Sequence, residues 1–114
     1  MNQLEIYQRH YDLILYMYPI VQRMPKSERH VLSQHIRNSL LDIAKMIVGA
    51  NKSRNKLPIL YRIDVELEKL RLLIRLAKDL KFISVRQYGI MAERTNEIGR
   101  MLGGWIKSQT KELP

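Results

Sequence analysis

Apolar residues recur along nearly the whole chain at steps of three and four, the spacing of one face of an α-helix. The first run predicts a helix from Gln3 to Met24, with Ile6, Leu13, Met17 and Ile20 in register and Tyr7, Tyr11, Ile14, Tyr18 and Val21 in an adjoining row. Both rows are assigned to the core. Pro19 falls inside this pattern, where the missing N–H and the ring clash predict a kink rather than a stop. Met24-Pro25 closes the helix, and Ser27 is the candidate cap of the next. That second helix is expected from Ser27 to Ala50, with Leu32, Ile36, Leu40, Ile43 and Ile47 on one face and His30, Gln34, Arg37, Asn38 and Lys45 on the other. The polar stretch from Asn51 to Lys56, closing at Pro58, reads as a loop.

The third helix, Ile59 to Phe82, has one apolar stripe too many. At about 100° per residue, Ile63, Leu67, Leu70, Ile74 and Ala77 make one stripe. Val65, Leu72, Leu73, Leu76 and Leu80 make a second, roughly opposite. A surface helix of a lone domain needs only one. The second stripe therefore predicts contact with another subunit. Between the stripes runs a charged strip of Asp64, Glu68, Arg71, Arg75 and Lys78, with Asp79 at its border.

Ser84 is the candidate cap of a fourth helix, Val85 to Ser108, whose stripe is Met91, Ile98, Leu102 and Trp105. Ala92, Gly99 and Gly103 lie beside it, and Gly104 follows. Glycine in a helix costs about 1 kcal/mol, so this strip predicts a second backbone close by. Trp105 is in register for the core or for a subunit interface. The tail from Gln109 to Pro114 is expected to fray. No segment alternates as a strand does. The prediction is one all-α domain over residues 1–114, an antiparallel up-down-up-down four-helix bundle.

Composition adds a charge. Lys and Arg number 20 against 11 Asp and Glu, a formal net charge of +9. Charge of that size attracts polyanions, nucleic acid first among them. Absence of cysteine excludes disulfides and thiolate metal sites and fits an intracellular, cytoplasmic setting. The opening MNQLEIYQRHYD lacks the pattern of a signal peptide, and no apolar run reaches the ~20 residues of a membrane span.

Catalytic chemistry finds little support. His30 and His35 are five apart and diverge on a helix, as do Glu66 and Glu68, so neither pair has the spacing of a bundle metal site. No serine sits in a nucleophile-elbow context, and no glycine loop could cradle phosphates. No cofactor or metal is expected, and the chain reads as a binding protein rather than an enzyme. Its basic residues match no helix-turn-helix or RNA-binding strand. Arg71, Arg75 and Lys78 share one helix face, and Lys52, Arg54 and Lys56 crowd one loop. Cations on rigid helices suit a phosphate backbone read without sequence preference; the competing reading is a solvated surface that keeps the protein soluble.

Three segments resemble a known family. They are Tyr18-Pro19-Ile20, the Arg71/Arg75 pair within LRLLIRLA, and the block from Gly99 through Arg100, Met101, Leu102, Gly103, Gly104 and Trp105 to Ile106. In order and in helix length the chain is similar to the accessory variability determinant (Avd) proteins of diversity-generating retroelements. The resemblance implies a non-catalytic four-helix bundle that assembles as a ring-shaped or barrel-shaped homopentamer. It implies association with the retroelement's reverse transcriptase and with RNA or cDNA, in support of mutagenic retrohoming. It also implies that basic residues of the third helix, here Arg71 and Arg75, make those contacts. Arg100 matches within the block, with a contact or a structural role left open. A related group, encoded in intervening sequences of 23S ribosomal RNA genes, shares the bundle and the pentamer. It supplies the alternative of an assembly protein with no direct nucleic-acid role. On the residues alone, the interface set is Val65, Leu72, Leu76, Leu80 and Trp105. The binding set is Arg71, Arg75, Lys78, Lys52, Arg54 and Lys56, to which the resemblance adds Arg100.

Overall fold

The computed structural model describes residues 3–113. Four α-helices account for most of them: α1 Gln3–Gln22, α2 Leu32–Lys52, α3 Leu57–Asp79 and α4 Val85–Thr110. Among the described residues there is no strand. Each helix packs on its sequence neighbours, and α1 also packs on α4, which closes the ring of four.

Side-chain rungs fix the alternating direction. Ser33 Oγ donates to the Val21 carbonyl and His10 Nε2 to the Leu40 carbonyl, so α1 and α2 are antiparallel. Ser39 donates to Glu66, linking α2 to α3. Arg71 reaches Asn96, and Lys78 lies over the Tyr88 ring, so α3 and α4 are antiparallel too. The α1–α4 seam is polar on its outside, with Arg9 to Glu97 at 2.7 Å and Arg94 over the Tyr16 ring.

The core is built from the stripes that the 3.6-residue period picks out. Ile36, Leu40, Ile43 and Ile47 of α2, Ile63, Leu67, Leu70, Ile74 and Ala77 of α3, and Met91, Ile98, Leu102 and Trp105 of α4 are all buried. From α1 come Ile6, Leu13, Met17 and Val21. Tyr7 and Tyr11, expected in the core, are instead exposed, their rings 6.4 Å apart. Those two positions stand too far round the helix from Leu13 and Met17 to face inward, whereas Val21 of the same row reaches the core. Trp105, assigned to the interface on sequence grounds, is completely buried within one chain, and its place is the core.

The ends of the helices differ from expectation in instructive ways. Ser84 caps α4 as predicted, in a full capping box with Gln87. Ser27 caps nothing. It lies in a 3-10 turn, Lys26–Glu28, and α2 begins only at Leu32, with Val31 in the capping position and no side-chain hydrogen bond there. α1 continues as helix through Pro19 to Gln22. Pro58 stands in the first turn of α3, where its missing N–H has no helical partner to lose. α4 runs past Ser108 to Thr110, and Pro114 of the tail lies outside the described residues.

Among the described residues, His10 is a titratable group moved from its usual pKa by burial. Its ring is buried; Nε2 is 2.8 Å from the Leu40 carbonyl, and Nδ1 has no partner among the described residues. Burial pushes its pKa below the usual 6.5, against the opposing pull of the Leu40 carbonyl. The fold therefore holds the neutral imidazole. Its contribution to stability is fully present above 6.5, where both states are neutral. It is lost as pH falls from there through the depressed folded value, since the unfolded chain takes the proton first. Urea denaturation across the acid range should show stability falling by at most about 1.4 kcal/mol per pH unit from this group. The His10→Gln variant should lack that component of the slope.

Candidate functional site

The outer side of α3 carries both features that the sequence singled out. Ile63 and Ala77 turn one side of the helix to the core, so Val65, Leu72, Leu76 and Leu80 face solvent in the single chain, Leu72 with 66 % of its surface exposed. Tyr61 extends this stripe toward the helix start and was missed from sequence, although it stands four residues before Val65 in the same register. Leu73, read as part of the stripe, is half-buried against the core. Beside Tyr61 and Val65 a groove of about 720 Å³ runs between α2 and α3, with Asp42, Lys45 and Met46 on its far wall.

The charged strip lies on the flank that faces α4. Arg71 is held on three sides. Nη1 pairs with Glu68, Nε donates to Asn96 Oδ1 at 3.0 Å, and Nη2 occupies the space that a Cβ on Gly99 would take, 2.5 Å from that position. Gly99 is thus what lets this guanidinium cross to α4. No backbone approaches Gly103 or Gly104, whose Cβ positions face open space, so the expected close packing is absent within one chain. Asn96 and Glu68 were not anticipated as partners of Arg71. Glu68 stands at the i, i+3 spacing that signals such a pair, whereas Asn96 becomes visible only once α3 and α4 are placed side by side.

Arg75 is the open member of the strip. Its side chain is 71 % exposed, and its one acidic neighbour, Asp79, is 3.9 Å away. Lys78 lies 4.5 Å over the Tyr88 ring and 3.3 Å from the same Asp79. One carboxylate thus serves two cations, and such exposed pairs hold the side chains only weakly.

The second cationic group does not join the first. Lys52, the last residue of α2, and Arg54, in the α2–α3 connection, are exposed. Arg71 stands about 20 Å further along the α3 axis, from the rise per helical residue. Lys56 is withdrawn from any partner: Nζ donates to the carbonyls of Ala50, Asn51 and Ser53, at 2.8, 3.2 and 2.8 Å. Those oxygens are left over where α2 ends, and a lysine that satisfies three of them is a helix cap, not a phosphate ligand. Arg100 is exposed on α4, on the side away from Met91 and Leu102.

Among the described residues no three His, Asp or Glu side chains gather as a metal site would need, and no helix is long and apolar enough to cross a membrane. What the surface offers is an apolar stripe and a row of guanidinium and ammonium groups, a combination suited to docking. No curated protein sequence matches this chain. A family described as bAvd-like does, over residues 4–109, a span that takes in the core stripes of all four helices, the Arg71–Gly99 contact and the α3 strip. By that match the chain belongs to the bAvd-like family.

Proposed function

We propose that this protein is a non-catalytic accessory factor of a diversity-generating retroelement. It acts as a homopentamer that brings the reverse transcriptase together with RNA or cDNA. The observation that carries this reading is the family match across residues 4–109. The surface supports it physically. A net charge of +9 on a rigid bundle suits phosphate or an acidic protein face, and the open Arg75 is the member of the α3 strip best placed to meet one.

The assembled state has its own support. A ring built head to tail needs two different complementary patches on each subunit. The exposed stripe from Tyr61 to Leu76 is one. Tyr7 and Tyr11 of α1 with Leu41 and Val48 of α2 supply exposed apolar surface elsewhere on the bundle. Subunits joined in this way would repeat the Arg75 strip around the ring, and repeated weak contacts gain strength by multivalency.

The test is a retrohoming assay in cells whose own copy of the gene is deleted. Wild-type protein should restore retrohoming. Arg75→Glu should reduce it at least about tenfold, as expected when reversal replaces attraction with repulsion at a docking surface, while light scattering shows an unchanged assembly. Arg75 is the residue to change first, because reversing Arg71 also breaks the α3–α4 link to Asn96. Retrohoming that proceeds at full efficiency without the protein would refute the reading.

A further inference from the structure

The helices alternate in direction, so the α1–α2 and α3–α4 connections lie at the same end of the bundle. Ser33 bonded to Val21, and Lys78 lying on Tyr88, mark that end. Residues 22–38 and 78–88 place there Arg23, Lys26, Arg29, Arg37, Lys78, Lys81 and Arg86, against only Glu28 and Asp79. About a quarter of the chain thus holds more than half of its formal net charge of +9.

Two of these cations are occupied. Arg37 donates to the backbone carbonyls of Arg29 and Ser33, and Lys78 lies between Tyr88 and Asp79. The other five, Arg23, Lys26, Arg29, Lys81 and Arg86, are exposed, and among the described residues none forms an ion pair. The α3 strip differs in this respect, since Arg71, Arg75 and Lys78 all have carboxylate neighbours. Unneutralised like charges gathered on two loops repel one another, and an external polyanion relieves that repulsion while releasing its own counterions.

Lys81 adds a second, independent sign. Its φ is +66°, the left-handed conformation in which glycine is the ordinary choice after a helix. A lysine there keeps a charge at the loop tip at the expense of backbone ease, the pattern found where function constrains the chain.

We propose that this loop end, through Arg23, Lys26, Arg29, Lys81 and Arg86, docks the phosphate backbone of a nucleic acid. The proposal rests on the accessory reading above and divides its labour, leaving the α3 strip to the polymerase. Three of the five groups are guanidinium forks, which match phosphate oxygens in pairs. No Phe, Tyr or Trp is among the exposed positions of this end, so it lacks both the broad stacking platform of a base reader and the ring anchors of a membrane-surface site. The contact is therefore with the backbone and without sequence preference.

The experiment follows the anisotropy of a fluorescently labelled, mixed-sequence single-stranded RNA over a salt series. Arg23→Glu/Arg29→Glu/Arg86→Glu should bind at least about tenfold more weakly at low salt and show a flatter dependence of log affinity on log salt. Lys81→Gly relaxes the backbone and should keep its thermal stability while losing about two- to threefold in affinity. Lys107→Glu, on α4 at the opposite end of the bundle, should bind RNA as the wild type does. If the triple variant keeps wild-type affinity and slope, the loop end is not the surface, although direct nucleic-acid contact stands. If the wild type itself does not bind RNA at low salt, both the surface and direct contact are refuted. If the triple variant keeps RNA but no longer captures purified reverse transcriptase, the loop end is a protein dock and the assignment is overturned. Should the triple variant fold poorly, the affinity of Lys81→Gly and acetylation footprinting of the wild-type protein decide: bound RNA must protect Lys26 and Lys81, and unprotected amines reject the proposal.

Discussion

Leu72→Glu is expected to reduce the assembled protein to single chains without unfolding them. The side chain is 66 % exposed in the lone bundle, and exposed substitutions of this kind change stability by no more than about 0.5 kcal/mol. Helical circular dichroism should therefore be unchanged. In an assembly that buries the α3 stripe, the same carboxylate would be desolvated with no cation opposite, at a cost of several kcal/mol per interface. Light scattering should show a drop from the mass of the oligomer to that of one subunit. Leu76→Glu should do the same, and Glu substituted at Asp64, on the charged flank, should not. An unchanged mass in both leucine variants would mean that the stripe is not an interface.

Trp105→Ala should be the most damaging single change in the core. The indole is fully buried in the core. Deleting a side chain of that size costs about 3–5 kcal/mol. Against a total stability of about 5–15 kcal/mol, such a loss lowers Tm by upwards of about 12 °C for a domain of this size. Differential scanning calorimetry at fixed subunit concentration measures it, since any association makes Tm depend on concentration. Trp105→Phe should cost distinctly less. The indole Nε1 is buried and finds no acceptor among the described residues, so removing it also removes an unsatisfied donor.

The period of the apolar residues made the bundle legible from sequence, because a stripe repeated over about four turns has only one helical reading. Ile63 to Ala77 and Leu32 to Ile47 fell inside as their register required. The Ser84 cap was legible for a similar reason: its partner, Gln87, is three residues away. What escaped depended on groups distant in sequence or on competition between near-equal local options. Ser27 had the right chemistry for a cap, yet the chain uses it in a 3-10 turn that ends at Glu28 and starts α2 only at Leu32. Lys56 looked like a free cation until the end of α2 placed three carbonyls around its amine. Tyr7 and Tyr11 shared a helix with the core but not its angle. The grouping of Arg23 and Arg29 with Lys81 and Arg86 was invisible along the chain, because only the alternation of helix directions brings the two connections to one end.

The closing seam between α1 and α4 has a consequence in time. The other three seams join helices linked by short connections, so each can form as a local hairpin with little loop entropy to overcome. Only α1 against α4 joins distant parts of the chain. The outer edge of that seam is held by Arg9 with Glu97 and by Arg94 on Tyr16, contacts that water can weaken. Folding would then proceed as a string of fast hairpins awaiting one slower closure. The ring of four helices is closed only once that last pairing is made.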